Sequence, residues 1–210
     1  MNITIIGASA GIGLETIKRG LNRNHSITTL SRTAIELEDK KSFNMILGDA
    51  RNKADLLKSI QNAEALIVTL GTGKNMNATT PFSDFAKVIL EIHEEKKIDI
   101  PLIFVTGFGA GESKNYVSWL VKMFLKYFLK DVYADKTKME EIITNSDLKW
   151  TVVRPGRLLD KELTEKYRIE NKLFKGINIG GINRADVADF LIKQAEKQTA
   201  LRQYIAISEK

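Results

Sequence analysis

Cysteine is absent from the 210 residues, and histidine occurs only as His25 and His93. Without a thiol there is no disulfide, no thiolate nucleophile and no cysteine-ligated zinc, and a reducing compartment is compatible with the chain. Two histidines give no basis for a metal site. No apolar run approaches the roughly 20 residues of a membrane-spanning helix. The glycines from Gly7 to Gly13 interrupt the first apolar stretch too early for a signal peptide, so a cytoplasmic location is expected. There is also no repeat of fixed period, no low-complexity tract and no Pro/Gly/Ser linker. A single domain over residues 1–210 is expected. Charge of one sign does not dominate: 32 basic and 26 acidic residues leave +6, spread along the chain. That favours anionic ligands in general, and without a recognition-module signature no nucleic-acid partner is expected.

What remains is an ordinary globular composition, 43% apolar and 28% charged. Short β-rich apolar runs occur at Ile3 to Ile6, Ser26 to Leu30, Phe43 to Leu47, Ala65 to Leu70, Leu102 to Thr106 and Trp150 to Val153. Several are apolar at consecutive positions, the pattern of strands buried on both faces. Between them, Leu14 to Leu21, Lys53 to Gln61, Phe82 to Lys96 and Lys136 to Ile143 carry apolar residues at three- and four-residue spacing. Strand and helix in alternation predict an α/β fold, a doubly wound, Rossmann-like parallel sheet flanked by helices. Residues 156–182 lose any clean period and read as a small substrate-side extension. A helix from Arg184 to Lys197, with Asn183 as its N-cap, and a strand in "QYIAIS" close the chain.

"GASAGIG" follows the first apolar run directly. A glycine-rich turn between strand and helix brings backbone close to a pyrophosphate and offers it free amides, so Gly7, Ser9, Ala10, Gly11, Ile12 and Gly13 are cofactor-binding candidates. The spacing G-x-x-x-G-x-G differs from the G-x-G-x-x-G fingerprint, and a turn without a ligand stays open as an alternative. The second strand ends "TTLSRT", with Ser31 and Arg32 where NAD-preferring sites place a carboxylate. A hydroxyl beside a guanidinium suits the 2′-phosphate of NADP, so NADP(H) is expected over NAD(H). Further along, Asp49 and Ala50 in "LGDA" and Leu70, Gly71 and Thr72 in "TLGTG" end strands that border the cofactor in such a layout. Asp49 could accept from the adenine amino group or be an ordinary turn aspartate. "GTGK" at 71–74 is not a P-loop: its first glycine would fall at Val68, and Asn75 stands where Ser or Thr is required.

The series "GASAGIG", "LSR", "GDA", "LGT", "YADKTKMEEII", "LKWTVVRPG" and "NRADVADFL" resembles, in order and spacing, the atypical short-chain dehydrogenase/reductases. It is most similar to the NAD(P)H-binding branch with the NmrA-like proteins and the flavin reductase and biliverdin-IXβ reductase group. The resemblance implies catalytic or cofactor roles for Thr106, after the fifth strand, and for Lys136, the motif lysine that supports the nicotinamide ribose. It also brings Pro155 of "VRPG" to the cofactor, and Arg157 to where that group faces substrate with a histidine. The family's tyrosine, four residues before the lysine, is Val132 here; Tyr133 lies three residues before it, and Gly107 replaces a serine. Tyr133 is therefore a displaced catalytic candidate, and Arg157 suits an anionic substrate or is a solvated loop residue. The resemblance implies a reductase that passes hydride from NADPH to a planar conjugated acceptor such as a flavin or quinone. The alternative is a non-catalytic NADP(H)-binding sensor or assembly protein. Finally, "KNYVSWLVKMFLKYFLKDVY" reads as one amphipathic helix over 114–130 with Lys114, Lys122, Lys126 and Lys130 at its edge. A core helix with a lysine edge, a substrate lid, a homodimer or protein-partner face, and a membrane-surface helix all fit it.

Overall fold

The computed structural model describes residues 1–37, 41–73 and 80–210. The apolar runs become β1 (Asn2–Ile6), β2 (Ser26–Ser31), β3 (Phe43–Leu47), β4 (Ala65–Val68), β5 (Leu102–Val105) and β6 (Trp150–Pro155). β1 to β6 pair in parallel in the order 3-2-1-4-5-6, and β10 (Gln203–Glu209) adds in parallel beside β6. β4, β5 and β6 are buried at every position, which is why their sequences show no alternation.

Among the described residues, five helices cross between strands on both faces. α1 (Gly11–Asn22) and α6 (Arg184–Glu196) pack Ile12, Ile17, Val187, Phe190 and Leu191 against Ile3 and Ile5 on one face. On the other, α2 (Lys53–Ile60), α3 (Pro81–Lys96) and α5 (Lys130–Thr144) pack Leu56, Phe82, Phe85, Met139 and Ile143 against Ile6, Leu66 and Phe104. The sixth helix, α4 (Trp119–Phe128), buries none of its residues.

Several elements run longer than expected, α5 starting at Lys130 and not Lys136, and the structure departs from the expectations further in these places. β4 stops at Val68, and the Thr69 N–H makes the last bond of its ladder to β1, donating to the Ile6 carbonyl at 2.9 Å. The helix expected over 114–130 is broken: a short 3-10 turn covers Gly111–Asn115, Ser118 caps α4, and Leu129 leaves helical geometry before α5. The extension at 156–182 contains β7 (Arg157–Leu159) and β8 (Tyr167–Glu170). β8 closes the sheet edge antiparallel to β10, and β7 pairs with β9 (Gly181–Asn183). Asn183 precedes α6, but its side chain makes no cap; it donates to Asp186 at 3.0 Å. The Asp186 carboxylate also accepts from Thr164 and Glu165, which ties the extension to α6.

Candidate functional site

β1 is flanked by β2 on one side and β4 on the other, so the chain reverses its direction of travel there and leaves a crevice beyond the strands' carboxyl ends. Gly7 and Gly13 are required by packing in that crevice. A Cβ on Gly7 (φ +79°) would stand 2.9 Å from the Leu70 backbone, and one on Gly13 would stand 2.6 Å from the Gly7 carbonyl and the Thr69 hydroxyl. Gly11 (φ +59°) instead faces outward, and the first atom its Cβ would meet is Nε of Arg184, at 3.5 Å. Ile12 is buried beneath, while Ser9, Ala10 and Gly11 are exposed. Ala10, the N-cap of α1, offers no side-chain acceptor, and the first turn holds no acidic residue. The amides of that turn and the positive end of the helix dipole are left for an anion.

At the ends of β2 and β3, Ser31 is buried and accepts from the Thr33 amide at 3.4 Å, while Arg32 is exposed. Asp49, the adenine candidate, is ion-paired. Arg51 grips both its carboxylate oxygens, with Nη2 at 2.6 Å, and this pairing holds the Asp49 carboxyl below its usual range, with Arg32 adding a smaller pull. Ala50 is buried under the turn. Leu70 and Thr72 are half-buried and Gly71 exposed beyond β4; Lys74 and Asn75, used in the P-loop comparison, lie outside the described residues.

Beyond β5, the structure gathers Thr106, Tyr133 and Lys136. Nζ of Lys136 donates to the Thr106 carbonyl at 2.5 Å and lies 5.3 Å from the ring centres of both Phe82 and Tyr133. Burial brings its pKa down to about 8 against a smaller opposing pull from Glu140. The Thr106 hydroxyl points elsewhere: it donates to Glu140 at 2.6 Å, inside the buried ion pair that Glu140 makes with Arg154 at 2.7 Å. Tyr133 rests on Gly107 (φ +148°), where a Cβ would stand 2.9 Å from the phenol oxygen. The displaced tyrosine thus fills the space a serine side chain at 107 would need. Burial raises the Tyr133 pKa, which disfavours a phenolate. Pro155 is buried, its carbonyl accepting from Phe108 at 2.9 Å. Arg157 is exposed at the start of β7, its side chain unpartnered among the described residues.

Sequence reasoning missed four charged residues here. Arg184 stood inside the motif "NRADVADFL" but read only as the start of a helix; its guanidinium is held by Asp160 beside Gly11. Arg51 follows Asp49 by two residues, too close in sequence to show which way it folds. Arg154 and Glu140 did leave a signal: a guanidinium inside the apolar strand "TVVRP" demands a buried partner.

The sequence profile described as NAD(P)H-binding matches residues 7–198. Solved structures with the same fold include the oxidoreductase ylbE from Lactococcus lactis, 17% identical with a TM-score of 0.80, covering 100% of this chain and 91% of that one. The anaerobillin reductase ChuY from Escherichia coli O157:H7 is 20% identical with a TM-score of 0.77, covering 100% and 97%. A short-chain dehydrogenase/reductase from Veillonella parvula in complex with NADP is 20% identical with a TM-score of 0.80, covering 99% and 94%.

Proposed function

The chain belongs to the NAD(P)H-binding family, and from that premise we propose that it is an NADPH-dependent reductase of a planar conjugated acceptor. The α1 amides from Gly11 to Gly13, with Ser9, Ala10 and Arg184, hold the pyrophosphate. Ser31 and Arg32 hold the 2′-phosphate, with Arg51 close by on Asp49. Ala50, Leu70, Gly71 and Thr72 border the adenosine half, and Thr106, Lys136 and Pro155 the nicotinamide half. When bound, the reduced nicotinamide supplies a hydride.

One observation carries the choice of acceptor. Neither family proton donor is poised: the half-buried Tyr133 phenol rests against Gly107, and the Thr106 hydroxyl is committed to Glu140. An alcohol or ketone dehydrogenase needs that relay, whereas a flavin, quinone or similar acceptor needs orientation and can take its proton from solvent. Arg157 and the "TGFGAG" loop then border the acceptor, and the cation favours an anionic one. The fold shared with an anaerobillin reductase adds that compound to the acceptors worth testing.

The Thr106 to Glu140 bond also favours a second reading, an NADP(H)-binding sensor or assembly protein without catalysis, acting from the cytoplasm on a protein partner. Calorimetry with NADPH and NADH, followed by NADPH oxidation with FMN, quinones and anaerobillin, separates the two. Tight NADPH binding with turnover supports the reductase. Binding without turnover on the whole panel supports the sensor, and no binding of either nucleotide overturns both.

A further inference from the structure

α4 is where the molecule spends apolar surface on solvent. Trp119, Leu120, Val121, Phe124, Tyr127 and Phe128 are each 43–71% exposed. At 100° per residue, Tyr127, Leu120, Phe124, Phe128 and Val121 form one continuous arc of the helix. Phe124 and Phe128 stack at 5.3 Å within it. Leu125, on the edge of that arc, reaches back to the body, where a Cβ on Gly109 would stand 2.5 Å from it. The remainder of the arc is open to solvent. A patch of this kind on one short helix marks an interaction surface.

Charge decides what covers it. Residues 113–130 contain four lysines and no acidic residue. Lys122 and Lys126 form the opposite, polar face of α4, with Lys114 in the preceding 3-10 turn and Lys130 at the start of α5, and all four are exposed. A second copy of the chain, itself carrying +6, would cover the apolar arc but leave the lysines unanswered. An anionic lipid surface meets both features, taking the aromatic arc into the headgroup boundary while the lysines reach the phosphates. We propose that α4 is a membrane-surface helix that adsorbs this protein onto anionic bilayers. Among the described residues no helix is long and apolar enough to cross a membrane, so the contact is with one leaflet. The inference stands apart from the catalytic reading, because adsorption is measured without turnover.

Flotation of the full chain with vesicles of phosphatidylcholine containing 30% phosphatidylglycerol, and with pure phosphatidylcholine vesicles, tests it. Binding is expected to the anionic vesicles and to weaken with salt. Each lysine near the surface contributes about fivefold, so Lys122→Glu with Lys126→Glu is expected to weaken binding by at least about thirtyfold. Phe124→Ser with Phe128→Ser is expected to abolish it, with thermal unfolding unchanged because these side chains are exposed. Trp119 reports insertion directly: it is 70% exposed, whereas Trp150, the other tryptophan, is 6% exposed. A blue shift of its emission on anionic vesicles supports the proposal. The proposal is overturned by equal binding to both vesicle types or by no flotation with either. It is also overturned by a dimer in sedimentation velocity that the Phe→Ser pair dissociates, because the arc is then covered by a second copy.

Discussion

A Cβ on Gly107 would stand 2.9 Å from the hydroxyl of Tyr133 and 3.5 Å from the ring carbon that bears it. The two departures from the family pattern, a lost serine and a shifted tyrosine, are thus one steric arrangement. Gly107→Ala is expected to destabilise the fold by about 1–3 kcal/mol through overpacking and a backbone angle that suits glycine. In a Tyr133→Phe background the cost is expected to fall by about 1 kcal/mol, because the nearest clashing atom is gone. A double-mutant cycle by chemical denaturation reads the coupling, and strictly additive effects would contradict the contact.

The glycines of the first turn separate packing from binding. Gly13→Ala drives a Cβ into backbone at 2.6 Å and is expected to lower the melting temperature by several degrees, at about 1–3 kcal/mol. Arg184→Ala touches only the outward side of the turn. It is expected to leave the melting temperature of the free protein nearly unchanged and to weaken NADPH binding about tenfold, the size of one charge-assisted contact. Calorimetry on the two variants, with melting curves, checks the division; an undiminished NADPH affinity in Arg184→Ala would remove it from the site.

Most of the frame was legible because parallel strands buried on both faces leave runs such as "ALIV" and "LIFV" that local pattern alone reveals. What escaped depended on contacts distant in sequence. Nothing local shows that Arg184 meets Gly11, or that the Thr106 hydroxyl is taken by Glu140 34 residues on. The break at Leu129 was hidden because apolar spacing continues across it, and the period alone does not show a single residue leaving the helix. β8 was missed since half-exposed edge strands such as "YRIE" carry no apolar run.

Arg32 lies exposed beside an Asp49 already neutralised by Arg51, so the adenosine end of the crevice presents net positive charge. Arg32→Glu is expected to weaken NADPH binding by about a hundredfold while leaving NADH within about threefold. Titration of both nucleotides against wild type and variant measures this. Equal losses for the two would mean that Arg32 does not read the 2′-phosphate.

Thr106→Val keeps the shape of the side chain and removes its bond to Glu140. A structural hydroxyl predicts a loss of about 1–3 kcal/mol of stability, as a buried carboxylate loses a donor, with turnover per folded molecule kept within about threefold. A hydroxyl that relays protons predicts the reverse pattern, a fall of about a hundredfold or more in kcat. Steady-state kinetics at matched folded fractions decides between them.

Lys136 sets a pH dependence whose sign follows from its half-buried position. Its ordinary pKa is 10.5, and burial brings it to about 8 in the folded protein. Below pH 8 the ammonium is charged in both states, and the folded protein carries the full cost of desolvating it. Between pH 8 and 10.5 the folded state has released the proton while the unfolded chain still holds it, so this group makes stability rise with pH across that window. Lys136→Met removes the titration, although it also gives up the hydrogen bond to the Thr106 carbonyl. The stability of wild type relative to the variant is therefore expected to improve by about 1–3 kcal/mol from pH 8 to 10.5 and to stay level from pH 6 to 7. Denaturant melts of both proteins at each pH give the difference directly. A difference that stayed constant through the alkaline range would mean that the ammonium is solvated rather than held against Phe82, Tyr133 and the end of β5.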